Sequence, residues 1–163
     1  MPVKYIFLLV LSSWLSFFSA QAAINRSSFY SAMMHENLDV IDHELDKLNK
    51  NSIGEAFKGA LMMKKSGLVK PAKDKLSFFK EGRKNLESAL KKDTSNVEYH
   101  FLRLIIQENT PKIVNYNSEI KRDASYLREN YKNQTIELQK VIFSYSKKSK
   151  TLKPEDFKNE LHE

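Results

Sequence analysis

The sequence predicts an all-α protein of about six antiparallel helices, set as a tetratricopeptide-like array or a helical bundle. Three observations carry this. Glycine and proline are scarce, four of each in 163 residues, whereas turn-rich β folds need many. Apolar residues recur at spacings of three and four along most of the chain after residue 26, the period of an amphipathic helix. Capping residues, glycine and proline punctuate these runs.

Residues 1–22 stand apart. "MPVKYIFLLVLSSWLSFFSAQA" holds one base, Lys4, then an uncharged apolar run from Tyr5 to Phe18, then Ala20-Gln21-Ala22. That is the pattern of a secretory signal peptide. The run falls short of the roughly 20 apolar residues a membrane span needs. The expected product is exported, periplasmic or secreted, with no stable membrane span once the signal is removed. Cysteine is absent, so the mature chain depends on packing rather than disulfides. The same absence removes the attachment residue of a bacterial lipoprotein. The organisation expected is a signal peptide over 1–22, one helical domain over 23–148, and a basic tail or short terminal helix over 149–163.

The first mature helix is expected from Ser27 to Lys50, with Met34, Leu38, Ile41, Leu45 and Leu48 on one stripe. Asn49 to Ser52 ends it, and Ser52 with Glu55 has the spacing of a capping box for the second helix, Ile53 to Ser66. That helix is rich in small residues: Gly54, Ala56, Gly59 and Ala60. Gly67 stops it, and Pro71 opens the third, which runs to Lys92. Its stripe is Ala72, Leu76, Phe79, Leu86 and Leu90, widened by Gly82 and Ala89. The turn "KKDTSN" follows. Ser95 and Glu98 again have capping-box spacing, so "VEYHFLRLIIQ" reads as a helix over 96–108, apolar on most sides and therefore buried. Thr110-Pro111 is expected to open a fifth helix carrying Ile113, Tyr116, Ile120, Ala124, Leu127 and Tyr131. Asn133 opens a sixth, with Ile136, Leu138, Val141, Ile142 and Tyr145. In the basic end, "SKKSKTLKPEDFKNELHE", Pro154 can start a short helix anchored by Phe157 and Leu161.

Gly82, Leu86, Ala89 and Thr94 lie at spacings of 4, 3 and 5, and the turn Asp93 to Asn96 follows them. Residues 82–96 thus resemble the second half of a tetratricopeptide repeat, with threonine where that family places proline. The next helix departs from the family's Trp-Leu-Gly-Tyr pattern. The wider segment, Gly54 to Pro111, is similar to exported helical proteins of Bacteroidota-type bacteria. These resemblances imply a helical array and an exported location, and no activity.

Net charge is +7, and the bases are clustered. Lys58 to Lys92 holds eleven Lys or Arg against three acids. Glu36 to Asp46 holds five acids and no Lys or Arg. A basic surface attracts anionic partners. In an exported protein these are acidic proteins or envelope components rather than nucleic acid. The candidate partner-binding residues are Lys73, Lys80, Arg83, Lys84 and Lys91 on the third helix, with Tyr99, Arg103 and Asn117 beyond the turn. Tyr99, Phe101, Arg103, Tyr116, Asn117 and Tyr126 could line a concave face. Asp93, Ser95, Asn96, Glu98 and Pro111 are expected to shape the turns.

Enzyme signatures are missing. His35, Glu36, Asp39, His43 and Asp46 lie mostly on a wet helix face without zinc-ligand spacing. No serine sits in a "GxSxG" turn and no glycine loop cradles phosphate. The sequence indicates no metal, no cofactor and no catalytic set. The leading expectation is a non-enzymatic exported interaction module that binds a protein or an anionic envelope component. An envelope hydrolase acting through carboxylates, and a self-associating structural subunit, stay open.

Overall fold

The computed structural model of the protein describes residues 24–49 and 54–157. The expected signal peptide, the cap at Ser52 and the anchor at Leu161 lie outside them. Among the described residues the protein is all-α. Seven α-helices run Arg26–Met34 (α1), Leu38–Asn49 (α2), Glu55–Leu68 (α3), Ala72–Lys92 (α4), Val97–Asn109 (α5), Ile120–Asn130 (α6) and Ile136–Ser146 (α7). Short 3-10 turns cover Lys112–Val114, Tyr131–Asn133 and Pro154–Phe157.

The hub is α5, buried from Val97 through Glu108 except at Tyr99. Its near-continuous apolar run requires neighbours all round, and α3, α4 and α6 supply them. The tightest pairing is α3 with α4. It is built on Gly59 and Gly82, which bring the two backbones into contact.

The expected single helix from Ser27 to Lys50 is two helices. His35 is extended, and the Asn37 side chain accepts from the Asp39 amide at 2.8 Å, opening α2. Asparagine at such a position competes well with continued helix. The break lets Phe29, Tyr30, Ala32 and Met33 of α1 face the same core as Ile41, Leu45 and Leu48 of α2.

The third helix forms as expected, but its stripe is apolar-buried only in the second half. Gly82, Leu86, Ala89 and Leu90 are buried, while Ala72 and Leu76 are exposed. The turn after it is held differently from the expected capping box. Asn96 is the N-cap of α5, its side chain accepting from the Tyr99 amide at 3.2 Å. Ser95 donates instead to Asp93 at 2.9 Å, and its amide reaches the same carboxylate. Glu98 turns inward and accepts from Arg26 at 2.8 and 2.9 Å and from the Tyr30 hydroxyl at 3.1 Å. A strong guanidinium partner has taken the carboxylate from the backbone. Asp93 is held below the ordinary carboxylate range, chiefly by the Ser95 and Asn96 side chains.

Pro111 opens only one 3-10 turn, not a long fifth helix. Asn115 ends that turn in the left-handed region, φ 53°, a conformation asparagine tolerates. Thr110 closes α5 by donating to the Ile106 carbonyl at 2.7 Å. Ile113 is therefore off the core, 94% exposed. Thr135, not Asn133, caps α7, and Ile136 is exposed.

Residues 149–157 are packed into the domain expected to end at 148. Ser149 donates to Glu108 at 2.8 Å. Leu152 and Phe157 are buried, and Phe157 meets the Tyr131 ring at 4.8 Å. Pro154–Phe157 is the short terminal helix, of 3-10 type.

Candidate functional site

A cleft of about 560 Å³ lies where α4, α5 and the start of α6 meet. Its floor comes from Arg103 and Gln107, two of the five buried polar residues of α5. They are four residues apart and so share a face. Arg103 binds Asp123 of α6 through two 2.7 Å bonds and Glu87 of α4 through one at 3.1 Å. His100 places Nδ1 2.7 Å from Asp123 and Nε2 2.9 Å from the Thr94 carbonyl. Asp123 is 0% exposed. Burial alone would raise its pKa, but bonds from Arg103 and His100 outweigh that and hold it below the carboxylate range. Burial opposes the Arg103 charge too, and the Asp123 and Glu87 carboxylates more than restore it.

Tyr116, from the loop before α6, donates to the second oxygen of Glu87 at 2.6 Å. Burial and that bond push its hydroxyl far above the ordinary tyrosine range. The Arg83 guanidinium lies 4.8 Å over the Tyr116 ring, and Phe79 meets the ring edge-on at 5.7 Å. The second lining carboxylate, Glu119, pairs with Arg122 at 2.7 Å. Both acids of the cleft are thus neutralised by their own neighbours. Lys80, Lys84 and Lys91 line the α4 side. Among the described residues none of the three makes an ion pair within 4.0 Å. The cleft is cationic by excess rather than by lysines awaiting internal partners.

Gln107 is the exception in this satisfied network. It is 2% exposed, and among the described residues neither its Nε2 nor its Oε1 has a hydrogen-bond partner. Its position was legible as a polar residue one turn past Arg103 in an apolar helix. Its isolation was not, because that depends on what packs around it.

Of the sequence candidates, the structure brings Lys80, Arg83, Lys84, Lys91 and Arg103 to this cleft. Lys73 lies outside it on the exposed first turn of α4. Tyr99 packs edge-on against Phe57 at 6.2 Å. Asn117 is exposed between the lining residues Tyr116 and Ser118. Of the residues expected on a concave face, Arg103 and Tyr116 line this cleft and Tyr126 lines an adjoining hollow beside Arg103, while Phe101 is fully buried. Asp93, Ser95 and Asn96 shape the α4–α5 turn, Glu98 ties α1 to α5, and Pro111 begins the loop toward Tyr116. Tyr116, read from sequence as lining a concave face, does line this cleft, whereas Glu87, Gln107, Ser118, Glu119 and Arg122 were not singled out as site residues by sequence.

The buried carboxylates elsewhere, Glu44, Glu98 and Glu108, are structurally engaged, Glu44 by the Ser28 hydroxyl and the Lys47 ammonium. Glu108 accepts from Tyr145 at 2.7 Å and from Ser149, and Glu98 holds Arg26 and Tyr30. None of the three lines the cleft. Among the described residues no three His, Asp or Glu side chains converge as a metal ion would require. No described helix is long and apolar enough to cross a membrane. No family model, curated protein or solved structure matches this chain.

Proposed function

We propose that the protein is a non-enzymatic helical binding module that receives an anionic partner in the cleft between α4, α5 and α6. The observation that carries this is the trio Lys80, Lys84 and Lys91, without an ion pair among the described residues, around a cleft whose own carboxylates are already neutralised. A folded protein gains nothing internally from three such charges at one mouth, since mixed charge solubilises equally well. They raise the local concentration of anions.

The reading extends to location and architecture. The charge, apolar run and A-x-A site of residues 1–22 support export, which would make an acidic envelope component or acidic protein the partner. The α3–α4 hairpin, followed by a turn and α5, supports a tetratricopeptide-like arrangement. The carboxylates that a hydrolase would need are held by Arg26, Tyr30, Tyr145 and Ser149, which favours binding over catalysis.

The test is titration of the ¹⁵N-labelled protein with soluble polyglutamate. Shifts should concentrate on residues of the cleft, and binding should weaken with salt, because exposed charges are screened over about 8 Å at physiological ionic strength. The double substitution Lys80→Glu and Lys84→Glu should abolish those shifts with helicity unchanged. Shifts spread evenly over the surface, or binding indifferent to the double substitution, would overturn the reading.

A further inference from the structure

The first half of α4 carries an apolar side that no described element covers. Ala72 and Leu76 belong to the stripe of that helix, yet both are exposed, Leu76 to 55%. A second apolar exposure stands beside it. Glu87 of α4 meets Arg103 of α5, and one and two turns nearer the start of α4, Arg83 and Phe79 hold the Tyr116 ring. The end of α5 and the loop after it thus run back along α4 toward Leu76. Leu76 is one helical turn from Phe79. Ile113 and Val114 precede Tyr116 by three and two residues, within about 11 Å of chain reach. They are 94% and 38% exposed.

Charge is sorted around this corner. At about 100° per residue, Lys73, Lys80, Arg83 and Lys84 fall within about 80° of Leu76 around α4. Asp74 and Glu81 fall about 140° or more away. Lys112 adds a base beside Ile113, in the same 3-10 turn. Among the described residues Lys73, Lys80, Lys84 and Lys112 have no ion pair within 4.0 Å. Apolar side chains bordered by unpaired bases are what an interfacial helix presents to a membrane.

We infer that this corner seats on the surface of an anionic phospholipid bilayer, with Leu76, Ile113 and Val114 entering the headgroup region and the lysines meeting lipid phosphates. This rests on the anionic-partner reading of the neighbouring cleft, with which it shares Lys80, Arg83 and Lys84, and adds what the partner is. A bilayer fits this corner better than an acidic protein. Lysine is depleted in protein–protein interfaces, and it supplies a mobile point charge rather than a directed fork. Its stem can lie along apolar surface while the ammonium stays at the level of the phosphates. Ile113 projects almost wholly into solvent, so a protein would need a pocket shaped to it, whereas a fluid interface needs none.

The chain holds no cysteine, so a single thiol-linked dye tests this on the full protein. An environment-sensitive dye on Ile113→Cys should shift to the blue on vesicles of equal parts phosphatidylglycerol and phosphatidylcholine, and stay unmoved on phosphatidylcholine alone. The same dye on Asp46→Cys, on the exposed side of α2, should stay unmoved on both. The dye reports the surroundings of one residue, so attachment through any other part of the chain does not mimic the result. Adding Leu76→Ser to the chain labelled at 113 should raise the lipid needed several-fold, with polyglutamate binding as in the parent. Adding Lys80→Glu with Lys84→Glu should raise it about tenfold or more and abolish polyglutamate binding as well. A dye at 113 that stays unmoved while polyglutamate binds overturns the bilayer, leaves the cleft standing and points to an acidic protein. An equal shift on phosphatidylcholine alone, or at Asp46→Cys, also overturns it. A blue shift at 113 with no polyglutamate binding keeps the bilayer and removes the cleft as a polyanion site. Failure of both probes removes both readings.

Discussion

Gly59 of α3 and Gly82 of α4 meet backbone to backbone. A Cβ built on either would stand 2.6 Å from the other's carbonyl oxygen. This contact sets how close the two longest neighbouring helices lie, and so where α4 presents Lys80, Arg83 and Lys84. An added methyl cannot be absorbed by a side-chain swing, because the nearest atoms belong to the main chain. Overpacking of this kind costs about 1–3 kcal/mol. Alanine would recover about 1 kcal/mol of helix propensity. Clash against backbone should win, so Gly59→Ala or Gly82→Ala lowers the urea midpoint with an unchanged slope. A raised midpoint would show that the helices part easily.

The turn before α5 ranks two neighbouring substitutions. Asn96→Ala removes the observed cap and should cost about 0.5–2 kcal/mol. Ser95→Ala removes only an exposed bond to Asp93 and should stay within about 0.5 kcal/mol. Denaturant melts of the two variants decide the order, and a larger loss at Ser95 would restore the capping box to Ser95 and Glu98.

Asp123 predicts an acid limb. Its folded pKa is depressed by Arg103 and His100, so its contribution is fully present above the unfolded carboxylate value of about 3.9. It is lost as pH falls through the lower folded value. The melting temperature should therefore hold from neutrality to about pH 4 and then drop. Asp123→Asn should be destabilising by about 3–5 kcal/mol at neutral pH, the usual loss on breaking a buried pair. It should also flatten the acid limb. Thermal melts across pH measure both, and an unchanged limb would assign acid sensitivity to other carboxylates.

The stretch from Leu152 to Phe157 contributes as core does. Phe157 is 1% exposed, and Phe157→Ala should cost about 3–5 kcal/mol. Ile113→Ser, at a side chain almost wholly in water, should change stability by no more than about 0.5 kcal/mol. Reversal of that order would place Phe157 outside the packed domain.

The sequence made α5 legible because Val97, Phe101, Leu102, Leu104, Ile105 and Ile106 crowd behind a capped turn, too many apolar residues for one stripe. It hid the break at His35 to Asn37 because Met34 and Leu38 keep the helical phase on either side, so periodicity runs through a point where the backbone turns. Caps were ambiguous for a different reason. Asp93, Ser95 and Asn96 are all competent, and the winner depends on Arg26, 72 residues from Glu98, drawing that glutamate away. The lysines of the cleft were visible as an excess of charge along one helix. That they share a mouth with Arg103 and Gln107 depends on α6 docking through Asp123, a tertiary event that no local pattern reports.

The Arg26–Glu98 tie and the seat of Ser149 on Glu108 bear on the order in which the molecule is completed. Both ends of the domain close on α5. The first helix must wait for a partner made much later, and the final segment supplies Leu152 and Phe157. A chain emerging from its N-terminus first cannot seal this core until Phe157 has emerged. Until then it is a string of short helices with little to hold them together. Late closure keeps such a chain threadable, and it makes loss of residues 152–157 a defect in assembly as much as in stability.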